Sequence, residues 1–439
     1  MNADPRVENR LPRILTDLGT GATPDYTDSI LARTAATRQR PSWMFTTRLL
    51  TMTAITSPAA PVRRVPLRTI GIAALLLLAL AVGALLTVGN QPRRLPPPYG
   101  LAATGVVSYV NDGQIWVAAA DGSARRAITT TAGVKGLPLF SRDGTRIAFL
   151  TYASVFSLGH ASLSVADADG RRSMVIDPDA YFINTPSWSP DGRLLVYGKA
   201  SATDEEAGRV YVAASDGSSP PRLVGDPNTF AVAPVISPDG TRIAFFRFDP
   251  ARPESFQLTV MDIDGSHAVG LSRGVFADIG GAGMEHGTPG IAWSPDGTRI
   301  LFGAGSPDDQ DVFVVDAGGV TPERVIATGP QLEYAATWSP SGAQVAFFRG
   351  PRFDFPDLYV AAADGSSQRR IATHLSWFTP QWSPDERVIA VVPNPDLNRG
   401  EIRLIDLATD EIVPIPIAGT YIDNQPGADT VSFQRLPLP

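Results

Sequence analysis

The sequence predicts an all-β protein, a seven-bladed propeller of four-stranded blades preceded by a single transmembrane α-helix and a short partly helical tail. Three observations point there. The phrase "WSPDGTRI" at 293–300 recurs as "WSPDGRLL", "ISPDGTRI" and "WSPSGAQV", and more loosely as "FSRDGTRI" and "WSPDERVI". A second phrase alternates with it, an apolar run ending in a turn, as in "VYVAASDG", "LTVMDIDG" and "LYVAAADG". Upstream of both, "TIGIAALLLLALAVGALLTV" at 69–88 runs twenty residues without a charge.

The first 68 residues form a basic tail, with ten arginines against five acids. Two stretches in it, "RLPRILTDLG" and "YTDSILARTAATRQ", have helical spacing, the second opening on the cap-capable Thr27 and Asp28. Trp43 and Phe45 stand beside basic residues, a pattern suited to a membrane surface. Residues 69–88 would make a helix about 30 Å long, the thickness of a bilayer core, and they lack the polar stripe of a buried soluble helix. Arginines dominate before the span, so the N-terminus is expected in the cytoplasm and the rest outside a plasma membrane of bacterial type, in single-pass topology. Residues 89–102, "GNQPRRLPPPYGLA", read as a short Pro-rich linker. The tail could also dock a cytoplasmic regulator.

The propeller is expected over 103–439. The serines of the first phrase, Ser141, Ser189, Ser237, Ser294, Ser339 and Ser383, are spaced by one propeller blade each. Strand A ends at the aromatic before the serine, and "SPDG" turns the chain into strand B. A loop of variable length leads to strand C, and a "DG" turn leads into strand D. Pro pre-sets φ, Asp bonds local amides and Gly takes the left-handed position. Trp188, Trp293, Trp338 and Trp382 are expected to act as wedges between blades. Residues 105–129 supply strands B, C and D without a strand A, while "DTVSFQR" at 429–435 is a strand without a blade. Pairing the two would close the ring at seven blades; six is the alternative count. "DADG" at 167–170 and "DIDG" at 262–265 are read as turns, because a calcium loop would need a distal Glu.

The repeat resembles that of TolB-like β-propellers over about 103–435. The resemblance implies an extracytoplasmic binding propeller. The α/β domain that precedes the propeller in TolB is replaced here by the tail and span, and the α/β-hydrolase domain of the related peptidases is not expected in this sequence.

The chain lacks cysteine, which excludes disulfides and thiolate chemistry. Outside the tail it carries twelve more acids than bases, which argues against nucleic acid as a partner. Uniform turns occupy one face of the ring and irregular loops the other. The candidate contact residues for a protein, peptide or glycan lie on that irregular face: Tyr181, Phe182, Phe230, Arg252, His286, Tyr334, Phe353, Trp377, Phe378 and Tyr421. Neither cofactor nor metal is expected, since His160, His267, His286 and His374 fall in four different connections. The expected function is a non-catalytic binding or sensing scaffold. The alternative is a propeller hydrolase, lyase or cyclase, for which only His286 with Glu285, and Asp177 or Asp179, have suitable chemistry.

Overall fold

The computed structural model describes residues 98–152, 160–182, 186–201, 204–249, 252–272, 290–306, 309–350, 355–375, 379–392, 401–416 and 431–438. The expected tail, membrane span and most of the linker lie outside these residues. The chain divides into two units, Met1–Gln91 and Pro92–Pro439, and the second is the propeller.

Its blades are seven, not six. Blade 1 holds β1 (Ala103–Asn111), β2 (Gln114–Ala118) and β3 (Arg126–Ala127), joined by the last strand of the chain. Blade 2 holds β4 (Val134–Phe140), β5 (Arg146–Tyr152), β6 (His160–Asp167) and β7 (Ser173–Phe182). Blade 3 holds β8 (Ser187–Trp188), β9 (Leu194–Ser201), β10 (Asp204–Ala214) and β11 (Arg222–Leu223). Blade 4 holds β12 (Phe230–Ile236), β13 (Arg242–Asp249), β14 (Arg252–Asp262) and β15 (Val269–Gly270). Blade 5 holds β16 (Ile291–Trp293), β17 (Arg299–Ser306), β18 (Asp309–Asp316) and β19 (Arg324–Ala327). Blade 6 holds β20 (Leu332–Trp338), β21 (Gln344–Gly350), β22 (Asp357–Ala362) and β23 (Arg369–Ala372). Blade 7 holds β24 (Gln381–Trp382), β25 (Val388–Val391), β26 (Glu401–Asp406) and β27 (Ile412–Pro416). The closing strand is β28 (Ser432–Leu436), which pairs with β1 through Phe433 opposite Val107 and Ser432 opposite Ser108. The two ends of the propeller are thus sewn into one blade, as expected. No helix occurs among the described residues.

The "SPDG" turn has a local cause at every position. Gly297 donates to Ser294 O at 2.8 Å and adopts φ 70°, which a residue without a Cβ reaches at no steric cost. Asp296 accepts from the amide and the hydroxyl of Thr298. The serine, which the sequence reading left without a role, is the turn's centre. Ser294 is fully buried, its Oγ accepts from Arg299 N at 2.9 Å, and it donates to Asp296. Hydrogen bonds from serine and threonine set the ionisation too. Burial alone would raise the Asp239 carboxyl, yet Ser237 and Thr241 together hold it below its ordinary value. Blade 7 departs from the rule: Glu386 stands at the glycine position with φ 60°, which costs a residue bearing a Cβ about 1–2 kcal/mol.

Blades are joined by the tryptophans. Trp188 Nε1 donates to Leu139 O, Trp293 to Val235 O and Trp338 to Ala292 O, each at 3.1 Å into the preceding blade. An arginine of that preceding blade covers each ring: Arg146 over Trp188 at 5.6 Å, Arg242 over Trp293 at 5.0 Å and Arg299 over Trp338 at 4.6 Å. Arg146 also donates to Gly192 O and Ser215 Oγ of blade 3. Where the next blade offers Ile236, Phe433 or Phe140 instead of Trp, the arginine position is Leu194, Val388 or Val106. The pairing is written into the repeat at six of the seven junctions; at the other, Trp382 follows a blade with Gln344 at the arginine position. One connection was not foreseen: Tyr181 and Phe182 at the end of β7 pair with Ala200 and Lys199 of β9, so blades 2 and 3 share one eight-stranded sheet.

Candidate functional site: the channel and the uneven rim

Inner strands of all seven blades surround a channel. Its cavity, about 300 Å³, opens at the end of the A–B turns, where Pro295 and Pro340 form part of the rim. Leu137, Trp188, Ile236, Trp293, Trp338 and Trp382 contribute apolar wall. Polarity comes from hydroxyls and amides such as Ser187, Thr337 and Gln381, and from two arginines, Arg142 and Arg435. Among the described residues, no Asp, Glu or His lines the cavity. The Arg142 guanidinium lies 4.5 Å over the Tyr99 ring. Arg435 is buried and donates to Gly100 O, so residues 99–100 form one side of the mouth. Burial, first, and then the charge of Arg142 push the Arg435 guanidinium down to about 10.

The sequence reading placed recognition at the other end, and the structure positions five of those residues. Phe230 opens β12 opposite Phe248, half-buried, with the Arg209 guanidinium 5.2 Å over its ring. Tyr334 is half-buried in β20 opposite Phe348, ring edge to face at 6.0 Å. Tyr181 and Phe182 end β7, and Arg252 begins β14 opposite Asp249. Blade 4 brings together Phe230, Phe248 and Phe256 in one register row at its rim. His286, Phe353, Trp377, Phe378 and Tyr421 lie outside the described residues, as does Glu285.

Acidic groups within the blades are held by neighbours. Asp177 is buried and accepts from Tyr197 Oη at 2.8 Å and from Lys199 Nζ at 2.9 Å, clamping β7 to β9. Burial and then the Asp177 charge raise the Tyr197 phenol far above its usual value. Glu333, fully buried in β20, accepts from Arg349 Nε at 2.7 Å. Its Oε2 and Oδ1 of Asp311 are buried without a donor among the described residues. At the equivalent place in β4, Lys135 is buried and donates to the carbonyls of Ala132 and Gly133, and burial pulls its ammonium down. Of the histidines, His267 is exposed beside Asp262 at 2.8 Å, and His374 is exposed with φ 56°. No group of three or more potential metal ligands occurs among the described residues.

Sequence reasoning missed Arg142, Arg435 and Tyr99. Arg142 was legible as the arginine of "SRDG", where the other copies have proline. Arg435 was not, because it stands in the closing strand β28, opposite Thr104, and no turn phrase surrounds it.

A closed ring of seven four-stranded blades around a lined channel defines a β-propeller with a central cavity. The TolB beta propeller domain matches residues 196–428, more than half of the chain, and the chain belongs to that family. The Protein TolB homolog of Chlorobium luteolum is 28% identical over 145 residues, which cover 33% of this chain and 31% of that protein. The Tol-Pal system protein TolB of Hahella chejuensis is 43% identical over 65 residues, 15% of this chain and 14% of its own. The chain therefore aligns with a third or less of the length of these curated relatives. Among solved structures, a puromycin hydrolase mutant superposes with a TM-score of 0.54 at 16% identity, covering 76% of this chain and 55% of that one. An oligogalacturonate lyase does so with 0.50 at 15%, covering 67% and 92%. At such identity the likeness concerns the fold alone.

Proposed function

We propose that the protein is a membrane-anchored, extracytoplasmic scaffold of TolB type that binds a protein, peptide or glycan and performs no catalysis. One observation carries the reading: the two ends of the ring are built differently. At the A–B and C–D end every turn is short and internally bonded, so its polar groups are engaged in holding the chain. At the opposite end the connections vary, from the few residues between β19 and β20 to the twenty between Gly270 and Ile291. A rigid ring with sealed edges fixes where such unequal connections leave and re-enter the blades. Family membership supports a binding role. Residues 69–88 would anchor the propeller, 89–102 would space it from the bilayer, and 1–68 would remain in the cytoplasm for a regulator.

The test is protease accessibility in intact cells, followed by capture. Added protease should remove the propeller of the full-length protein and spare the tail. Detergent-solubilised protein should retain an envelope component, and the double variant Tyr334→Ala, Trp377→Ala should lose it while staying folded. A propeller protected from outside protease would refute the topology. Undiminished capture by the folded variant would refute the rim as the contact surface.

A further inference from the structure

We propose that the A–B mouth of the channel is a binding site for a small organic carboxylate with an apolar body, its head group held by Arg142 and Arg435. This inference concerns the end of the ring opposite the proposed capture rim, and it stands independently of that reading.

The first ground is a departure from the repeat. The second turn position is proline in five copies, Pro190, Pro238, Pro295, Pro340 and Pro384. Proline there pre-sets φ and lowers the entropy of the unfolded chain, so the fold gains from keeping it. Two equivalent positions depart, Arg142 in a turn and Arg435 in the closing strand β28 opposite Thr104, and register identifies both. Phe140 pairs with Ile147 in blade 2 as Phe433 pairs with Val107 in blade 1, and Arg142 and Arg435 each stand two residues after that aromatic. The departures are the same residue, in adjacent blades, at a position that faces the channel mouth. Turn carpentry alone does not call for arginine.

The second ground is electrostatic. Among the described residues none that lines the cavity is acidic, and the two guanidinium groups act on each other there as like charges. The adjacent turn carboxylate, Asp143, makes no ion pair with Arg142, and its Oδ1 accepts from the Ser141 hydroxyl and from the amide and hydroxyl of Thr145. Arg142 is half-buried, stacks on Tyr99 and makes no hydrogen bond or ion pair among the described residues, leaving its five N–H donors for a ligand. Planar guanidinium donors match the geometry of a carboxylate.

The third ground is the wall. Beyond the arginines the channel is faced by Trp188, Trp293, Trp338, Leu137 and Ile236, which favour an apolar body over a sugar or a bare inorganic ion. A volume of about 300 Å³ admits a small molecule.

The test uses the full chain in lipid nanodiscs, titrated with 3-phenylpropanoate, 3-phenylpropanol or 3-phenylpropylamine by calorimetry and tryptophan fluorescence, with empty nanodiscs subtracted. The carboxylate should bind saturably, the alcohol at least about tenfold more weakly, and the amine not at all. Arg142→Pro restores the repeat's own residue, so its melting temperature should match or exceed that of the parent while affinity falls about 10- to 100-fold, the effect of losing one charged hydrogen-bonding group. Arg142→Ala should lose affinity to the same degree. Equal binding of alcohol and carboxylate, no saturable binding of the carboxylate, or unchanged affinity in a folded Arg142→Pro protein would each overturn the proposal.

Discussion

Two junctions of the ring use the same tryptophan and reach different states. Between blades 5 and 6, Trp338 donates to Ala292 O and lies under Arg299. Between blades 6 and 7, Trp382 is buried too, but its Nε1 has no acceptor among the described residues, and the arginine position of blade 6 is Gln344. The difference teaches that the wedge is a property of two blades. A tryptophan seals a junction when the preceding blade supplies both the carbonyl and the cation. Where it supplies neither, a buried N–H is left whose desolvation costs about 1–3 kcal/mol.

The largest effect should come from breaking the ring outright. Truncation after residue 430 removes the buried Val431 and Phe433 and leaves β1 with an unpaired edge. Loss of those two side chains alone costs about 3–6 kcal/mol. Chemical denaturation of the truncated protein should show a lower midpoint and a broader, less cooperative transition. An unchanged midpoint would mean that closure contributes nothing to stability.

Next in size is a paired substitution that addresses the two junctions directly. Trp338→Phe deletes a satisfied donor and strands Ala292 O, whereas Trp382→Phe deletes a donor that has no partner among the described residues. Trp338→Phe should cost at least about 1 kcal/mol more than Trp382→Phe by urea unfolding. Equal costs would show that volume, not the hydrogen bond, distinguishes the junctions. Gln344→Arg then sharpens the comparison from the other side. It installs the missing cation at the position held by Arg299 one blade earlier, and should stabilise by about 0.5–1 kcal/mol. The gain should vanish in a Trp382→Leu background.

Much of this was legible in the sequence, for a physical reason. Gly297, Pro295 and Asp296 act within four residues, so their pattern reports the turn without knowledge of the fold. The closure was legible as well, because 105–129 lacked one strand and 429–435 was one strand too many. What escaped reading depends on register. The serine's acceptor role appears only when Arg299 N is folded over Ser294 Oγ, and the β7–β9 pairing depends on how far β7 extends. The rim candidates divide along the same line. Phe230 and Tyr334 are placed by strands whose alternation is plain in the sequence, whereas Trp377, Phe378 and Tyr421 belong to connections without a repeat. Arg142 could have been found by asking which copy of the phrase breaks it.

The smallest expected effect concerns the buried carboxyl of blade 6, and it is read as a slope against pH. Glu333 Oε1 is held by Arg349, but Oε2 and the Asp311 Oδ1 are both acceptors, and sharing a proton is how two such groups can satisfy each other. Burial, first, and the Asp311 charge raise the Glu333 carboxyl above its ordinary 4.5, although Arg349 opposes them. Below 4.5 the folded and unfolded chains both hold the proton, and Glu333 has no pH-dependent effect. As pH climbs from 4.5 through the raised folded value, the unfolded chain has released a proton that the folded chain still keeps. Stability therefore falls across that window. Glu333→Gln keeps an oxygen for Arg349 Nε and removes the titration. Urea midpoints measured from pH 4 to 8 should converge at the acid end, with the variant gaining on the parent as pH rises. Parallel curves would mean that Arg349 alone satisfies Glu333, and that the junction between blades 5 and 6 carries no buried proton.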